Sequence, residues 1–167
     1  MDLARFRIHN GRPALRFTLA HPRCPQRVWR SLTETARLDN WFPAHVEIES
    51  REGGRVLFGN AGTEPLHGSV LAFEPGERLG FTFGADEVWF DLIPDEDATL
   101  LTMTMYLAEQ DLAALNAAGW TNCLSRLELC LRGEELEDLY SWEDVYDEYV
   151  LAGVPAAGGI AGLTGGQ

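Results

Sequence analysis

The stretch GWTNCLSRLELCLRG, residues 119–133, carries the reading on which the architecture turns. Its apolar residues Trp120, Cys123, Leu124, Leu127, Cys130 and Leu131 recur at i, i+3, i+4, i+7, i+10 and i+11, the stripe of a helix with one buried face. Gly133 supplies the residue that ends such a helix in a left-handed turn. Asn122, Ser125, Arg126 and Arg132 fall on the opposite face, and Leu129 falls there with them, an apolar residue in need of a cover.

Upstream the period changes from 3.6 to 2. In Thr99–Leu107, Leu101, Met103, Met105 and Leu107 share one face; in 87–93, Val88, Phe90 and Leu92 oppose Glu87, Trp89 and Asp91. The segments 66–73 and 78–83 flank Glu74-Pro75-Gly76-Glu77, where proline fixes φ and glycine accepts positive φ, so they read as a hairpin. Val46 and Ile48 alternate with glutamates, and Glu52-Gly53-Gly54 turns into Val56 and Phe58. Near the start, Leu15, Phe17 and Leu19 alternate with Arg16 and Thr18 in a strand over 14–20. Pro25 then opens a short helix carrying Val28, Trp29 and Leu32. A second helix, capped by Thr33, ends near Asn40 and is stopped by Pro43. One strand, two short helices, a run of strands and a long helix make an α+β order with the helices on one side of an antiparallel sheet.

Downstream, residues 134–149 hold eight acids and no base, with Trp142, Val145, Tyr146 and Tyr149 along one stripe. Gly153–Gln167 has six glycines and one proline in fifteen residues. The expected division is a domain at 1–133, an acidic amphipathic helical extension at 134–152 and a flexible Gly-rich tail at 153–167.

The formal net charge is −13, all thirteen basic residues are arginine, and no basic stripe occurs, which excludes nucleic acid as a partner. No apolar run reaches the length that crosses a bilayer, so no membrane insertion is expected. The first residues, MDLARFRIHNGRP, lack the apolar core of a signal peptide, and a cytoplasmic location follows as an expectation. Cys123 and Cys130 lie about 10 Å apart along one helix, too far for a disulfide, and Cys24 is left odd; all three read as small buried hydrophobes. His9, His21, His45 and His67 lack metal-ligand spacing, so neither metal nor cofactor is expected. There is no Gly-x-Ser-x-Gly elbow and no phosphate-binding loop, and Glu47, Glu49 and Asp91 point outward on this register.

Several motifs stand in a familiar order: Arg16-Phe17-Thr18-Leu19, Pro25–Trp29, Asn40-Trp41-Phe42-Pro43, Glu52-Gly53-Gly54-Arg55-Val56, Gly68-Ser69-Val70, Glu74-Pro75-Gly76-Glu77-Arg78-Leu79, Thr99-Leu100-Leu101-Thr102 and Ala118-Gly119-Trp120. With them the chain resembles START-like (SRPBCC) proteins over about residues 14–133, in the branch similar to the Hsp90 ATPase activator. The resemblance implies a helix-grip fold, in which a curved antiparallel sheet wraps a long C-terminal helix and two short helices follow the first strand. It also implies a hydrophobic cavity between sheet and helix. Lipid carriers, polyketide cyclases, hormone receptors and co-chaperone domains share that fold, so fold alone assigns no role. The histidine near a glycine that ends the last strand in many relatives is missing from Met103-Thr104-Met105-Tyr106-Leu107-Ala108-Glu109.

On this reading the pocket is lined by Trp41, Phe58, Phe83, Phe90, Met103, Met105, Trp120, Leu124 and Leu127, with His67 as a candidate polar group and no catalytic residue assigned. The same side chains would equally fill a solid core, and it is the family's cavity that favours a lined pocket. Trp41 and Trp120 are expected at its mouth, each offering an indole N–H. The expected function is binding of a small hydrophobic or aromatic molecule. A cyclase or dehydratase working by proximity and orientation is one alternative, and a co-chaperone-like interaction module is another. A homodimer or protein partner would cover Leu129 and the Trp142–Tyr149 stripe.

Overall fold

The computed structural model describes residues 3–59, 62, 64–137 and 140–157. The chain opens with a hairpin, β1 (Arg5–His9) and β2 (Arg12–His21), joined by Asn10-Gly11 at φ 50° and 76°. Two successive positive φ values make the tight turn whose twist matches the strands it connects. The short helices α1 (Pro25–Thr33) and α2 (Thr35–Leu38) come next, followed by β3 (His45–Ile48), β4 (Arg55–Gly59), β5 (Leu66–Glu74), β6 (Arg78–Phe83), β7 (Asp86–Asp95) and β8 (Ala98–Tyr106). A 3-10 turn at Gln110–Leu112 leads into the long helix α3 (Ala113–Arg132), and α4 (Trp142–Leu151) closes the described chain.

The strands form one antiparallel sheet in the order β1-β2-β8-β7-β6-β5-β4-β3, so the N-terminal hairpin is joined to the meander through β8. Register shifts between Val70 and Ala72 on β5, and such an irregularity sharpens the bend of the sheet. The concave rows follow period 2: Leu15, Phe17 and Leu19; Val56 and Phe58; Leu79 and Phe81; Val88, Phe90 and Leu92; Leu101, Met103 and Met105, all buried. Helix α3 lays Trp120, Leu124, Leu127 and Leu131 on them, in one cluster with the sheet residues. This is the helix-grip α+β arrangement.

The structure departs from the sequence reading in several places. The short helices follow the second strand, because β1 precedes the strand read at 14–20. Helix α3 starts six residues before Gly119, in an alanine-rich stretch that has high helix propensity but no apolar stripe to announce it. The residue at the α2 cap is Glu34; Thr33 instead donates its hydroxyl to the Trp29 carbonyl at 2.9 Å. Gly133 does end α3, at φ 72°, with the Glu134 amide donating to the Leu129 carbonyl at 3.0 Å. Cys24 is exposed and Cys123 and Cys130 are half-buried, rather than all buried.

The C-terminal segment also corrects expectation. Only Trp142–Leu151 is helical, residues 134–137 are neither helix nor strand, and residues 138–139 and 158–167 of the extension and tail lie outside the described residues. Helix α4 packs on α3, and its Tyr149 is wholly buried within the main core cluster. Tyr149 accepts a hydrogen bond from the Ala4 amide at 2.8 Å and stands 2.7 Å from the Thr121 hydroxyl. Since Thr121 donates to the Ala117 carbonyl at 2.7 Å, the Tyr149 O–H donates to Thr121, and one proton order runs from the N-terminus through α4 to α3. Small residues Ala114, Ala118, Thr121 and Ser125 give α3 a second buried stripe, and the Ala114 amide donates to the Pro155 carbonyl at 2.9 Å. Leu129, expected to lack a cover, is buried as well. The chain covers that face itself, so Leu129 does not call for a partner.

Candidate functional site

The strands and α3 bring all nine residues of the expected pocket into one hydrophobic cluster. At its aromatic end, Phe58 and Phe83 meet edge-on with ring centres 4.8 Å apart, and Phe83 lies 6.4 Å from Trp120. The residue that joins them is Phe42, which sequence reasoning did not assign to the site. Its ring lies 5.3 Å from Trp120, 6.0 Å from both Phe58 and Phe83, 5.5 Å from Trp41 and 6.4 Å from Phe81. Such offset and edge-on rings add roughly 0.5–1.5 kcal/mol per pair beyond burial. Phe42 sits in a loop between α2 and β3, where no period reveals a facing. Phe81 was legible, since it alternates with Leu79 and Phe83.

The two tryptophans separate. Trp41 is 1% exposed and donates its indole N–H to the Ser31 carbonyl at 2.8 Å. It ties the chain after α2 to the end of α1, so it is structural and not at a mouth. Trp120 makes no hydrogen bond through its N–H to any described residue, and its ring borders the half-buried Phe83. Met103, Met105, Leu124 and Leu127 are wholly buried behind these rings. The aromatic end is therefore apolar walls with one available donor.

His67 is not part of it. The pairing Val56 with Gly68 and Leu57 with His67 gives Gly68 the inner row and sets His67 outside. There, exposed, it lines a depression of about 430 Å³ with Thr35, Glu47, Ile48, Glu49, Arg55 and Leu57. The strand begins at Leu66, as the sequence reading has it, and His67 takes the outward step of its alternation.

His21 is the polar group that sequence reasoning passed over. It extends the inward row Leu15, Phe17 and Leu19 by one more step of two, and it is wholly buried with neither ring nitrogen hydrogen-bonded among the described residues. Burial, and secondarily the Arg132 charge, lowers its pKa to about 4. It lies where β2 pairs with the start of β8, opposite Thr99, and Thr99 donates to the Arg23 carbonyl at 2.7 Å. Among the described residues no three His, Cys, Asp or Glu side chains gather in a metal-binding arrangement.

The model of one family, described as activator of Hsp90 ATPase homolog 1-like protein, matches residues 23–132. The chain belongs to that family. Most of the ordered motifs lie within the match, including the Gly119-Trp120 pair. A search of curated proteins finds no match. Among solved structures, a conserved protein of unknown function from Enterococcus faecalis, EF2215, is 25% identical over 89% of each chain with a TM-score of 0.78. CalU16 from Micromonospora echinospora is 21% identical, over 90% of this chain and 94% of its own, with a TM-score of 0.69. DynU16, a protein of the dynemicin biosynthetic locus, is 23% identical over 72% of this chain and 48% of its own, with a TM-score of 0.62. At these identities the last two share the fold alone. Among the described residues no helix is long and apolar enough to cross a membrane.

Proposed function

We propose that this family member binds a small hydrophobic or aromatic molecule between the sheet and α3, at the rings of Phe42, Phe58, Phe83 and Trp120. The observation that carries the reading is the pairing of that aromatic cluster with one indole N–H that bonds no described residue. A flat ligand would take the place of a ring-to-ring contact by moving the half-buried Phe83, and an acceptor on it would receive the Trp120 N–H. The thioethers of Met103 and Met105 behind the rings adapt to different shapes, which suits a site of broad selectivity.

Two neutral fluorescent probes test this: Prodan, an aromatic ketone, and N-phenyl-1-naphthylamine, which lacks the carbonyl. Both are expected to bind saturably in the micromolar range. Trp120→Phe keeps a ring and removes the donor, so it should weaken Prodan about fivefold, one hydrogen bond's worth, and leave the second probe within twofold. Phe83→Ala should weaken both, and Glu47→Ala, on the outer face beside His67, neither. Saturable binding absent from the folded protein, or equal losses in all three variants, would overturn the site.

A further inference from the structure

The outer face of the N-terminal hairpin carries a group of charges that the interior site does not explain. Arg5 and Arg7 on β1 and Arg16 on β2 all point away from the core, and Arg5 stands directly opposite Arg16 in the strand register. Like charges in that position repel. Among the described residues none of the three guanidiniums meets a carboxylate, in a chain with twice as many acids as bases. Two other arginines of this sheet face are occupied: Arg12 pairs with Glu87 at 3.2 Å and lies over Tyr106, and Arg78 pairs with Asp91 at 3.2 Å and lies over Trp89. The three free guanidiniums, with Leu3 and the Thr18 hydroxyl, line a depression of about 690 Å³, and no described carboxylate lines it.

We propose that this cluster is a binding site for a small phosphate-bearing molecule. Three guanidiniums around one depression exceed what a single carboxylate neutralises and match the two charges and several oxygens of a phosphate monoester, which arginine forks bind in pairs. The depression has the volume of a small-molecule site. An extended polyanion fits less well, because beyond a Debye length of about 8–10 Å the net charge of −13 opposes it, whereas a small anion feels only the local arginines. The repulsion between Arg5 and Arg16 is then relieved on binding.

The test is calorimetric titration of the full chain with pyrophosphate, with succinate as the carboxylate control. Pyrophosphate is expected to bind saturably, more weakly as salt is raised, and at least about tenfold less tightly to Arg5→Gln or Arg16→Gln. Arg27→Gln, whose guanidinium is free of described partners elsewhere on the surface, should bind as the parent does. Without pyrophosphate, Arg16→Gln should melt no lower than the parent, since it removes a repulsion. Prodan binding should be unchanged in Arg5→Gln, which keeps this site's failure separate from that of the interior one. Succinate binding as tightly as pyrophosphate, or equal losses in Arg5→Gln and Arg27→Gln, would overturn the proposal. So would a change of oligomeric mass in Arg5→Gln without saturable pyrophosphate binding, which would make the cluster a dock for the acidic segment of a second copy.

Discussion

Replacing Tyr149 by alanine is expected to cost about 3–5 kcal/mol of folding stability, the range for emptying a buried aromatic site. The side chain is wholly buried, belongs to the main core cluster, and holds the proton order from Ala4 to Thr121 and Ala117. Burial also pushes its pKa upward, the direction expected for a hydroxyl kept from water. Tyr149→Phe isolates the hydroxyl: it strands the Ala4 amide and the Thr121 oxygen and should cost about 1–3 kcal/mol. Leu151→Ser, at a residue 88% exposed on the same helix, should stay within about 0.5 kcal/mol of the parent. Urea midpoints at constant m-value read all three. If Tyr149→Ala unfolds where the parent does, α4 is not part of the folded unit.

Acid should weaken the fold through His21. Unfolded, the ring titrates near 6.5; folded, it titrates at about 4. Between those values the unfolded chain binds a proton that the folded one excludes, so stability falls as pH drops from about 6.5 towards 4 and is level above about 7. The full loss is about 3 kcal/mol. His45, exposed beside Asp39 and Glu47, is shifted upward by its hydrogen bond to Asp39 and works in the opposite direction, so the wild-type curve alone does not isolate His21. His21→Leu does: it should flatten the acid slope and bring stability at pH 5 to or above that of the parent. An unchanged slope in His21→Leu would show that the ring is solvated.

What the sequence displays is periodicity, and what it hides is whatever periodicity does not govern. The alternation in β7 and β8 and the stripe Trp120, Leu124, Leu127 and Leu131 place residues on the face where the structure finds them. The same alternation, carried one step past Leu19, reaches His21; stopping the strand at residue 20 hid the buried histidine. Edge strand β1 was missed because Arg5 and Arg7 dilute its apolar residues, although Asn10-Gly11 is a hairpin signal. Phe42 was invisible as the hub of the aromatic cluster because loop residues have no facing, and four of its five ring neighbours, all but the adjacent Trp41, come from distant parts of the chain. The split between Trp41 and Trp120 rests on one hydrogen bond to the Ser31 carbonyl, a tertiary contact that no local pattern encodes.

Native mass spectrometry of the protein isolated from its own host reads the interior site's occupant directly. The expected spectrum holds a population heavier than the bare chain by one small molecule, released on denaturation, apolar or aromatic by extraction, and depleted in Phe83→Ala. Bare chain alone, from a folded protein that also leaves Prodan unbound, would contradict it.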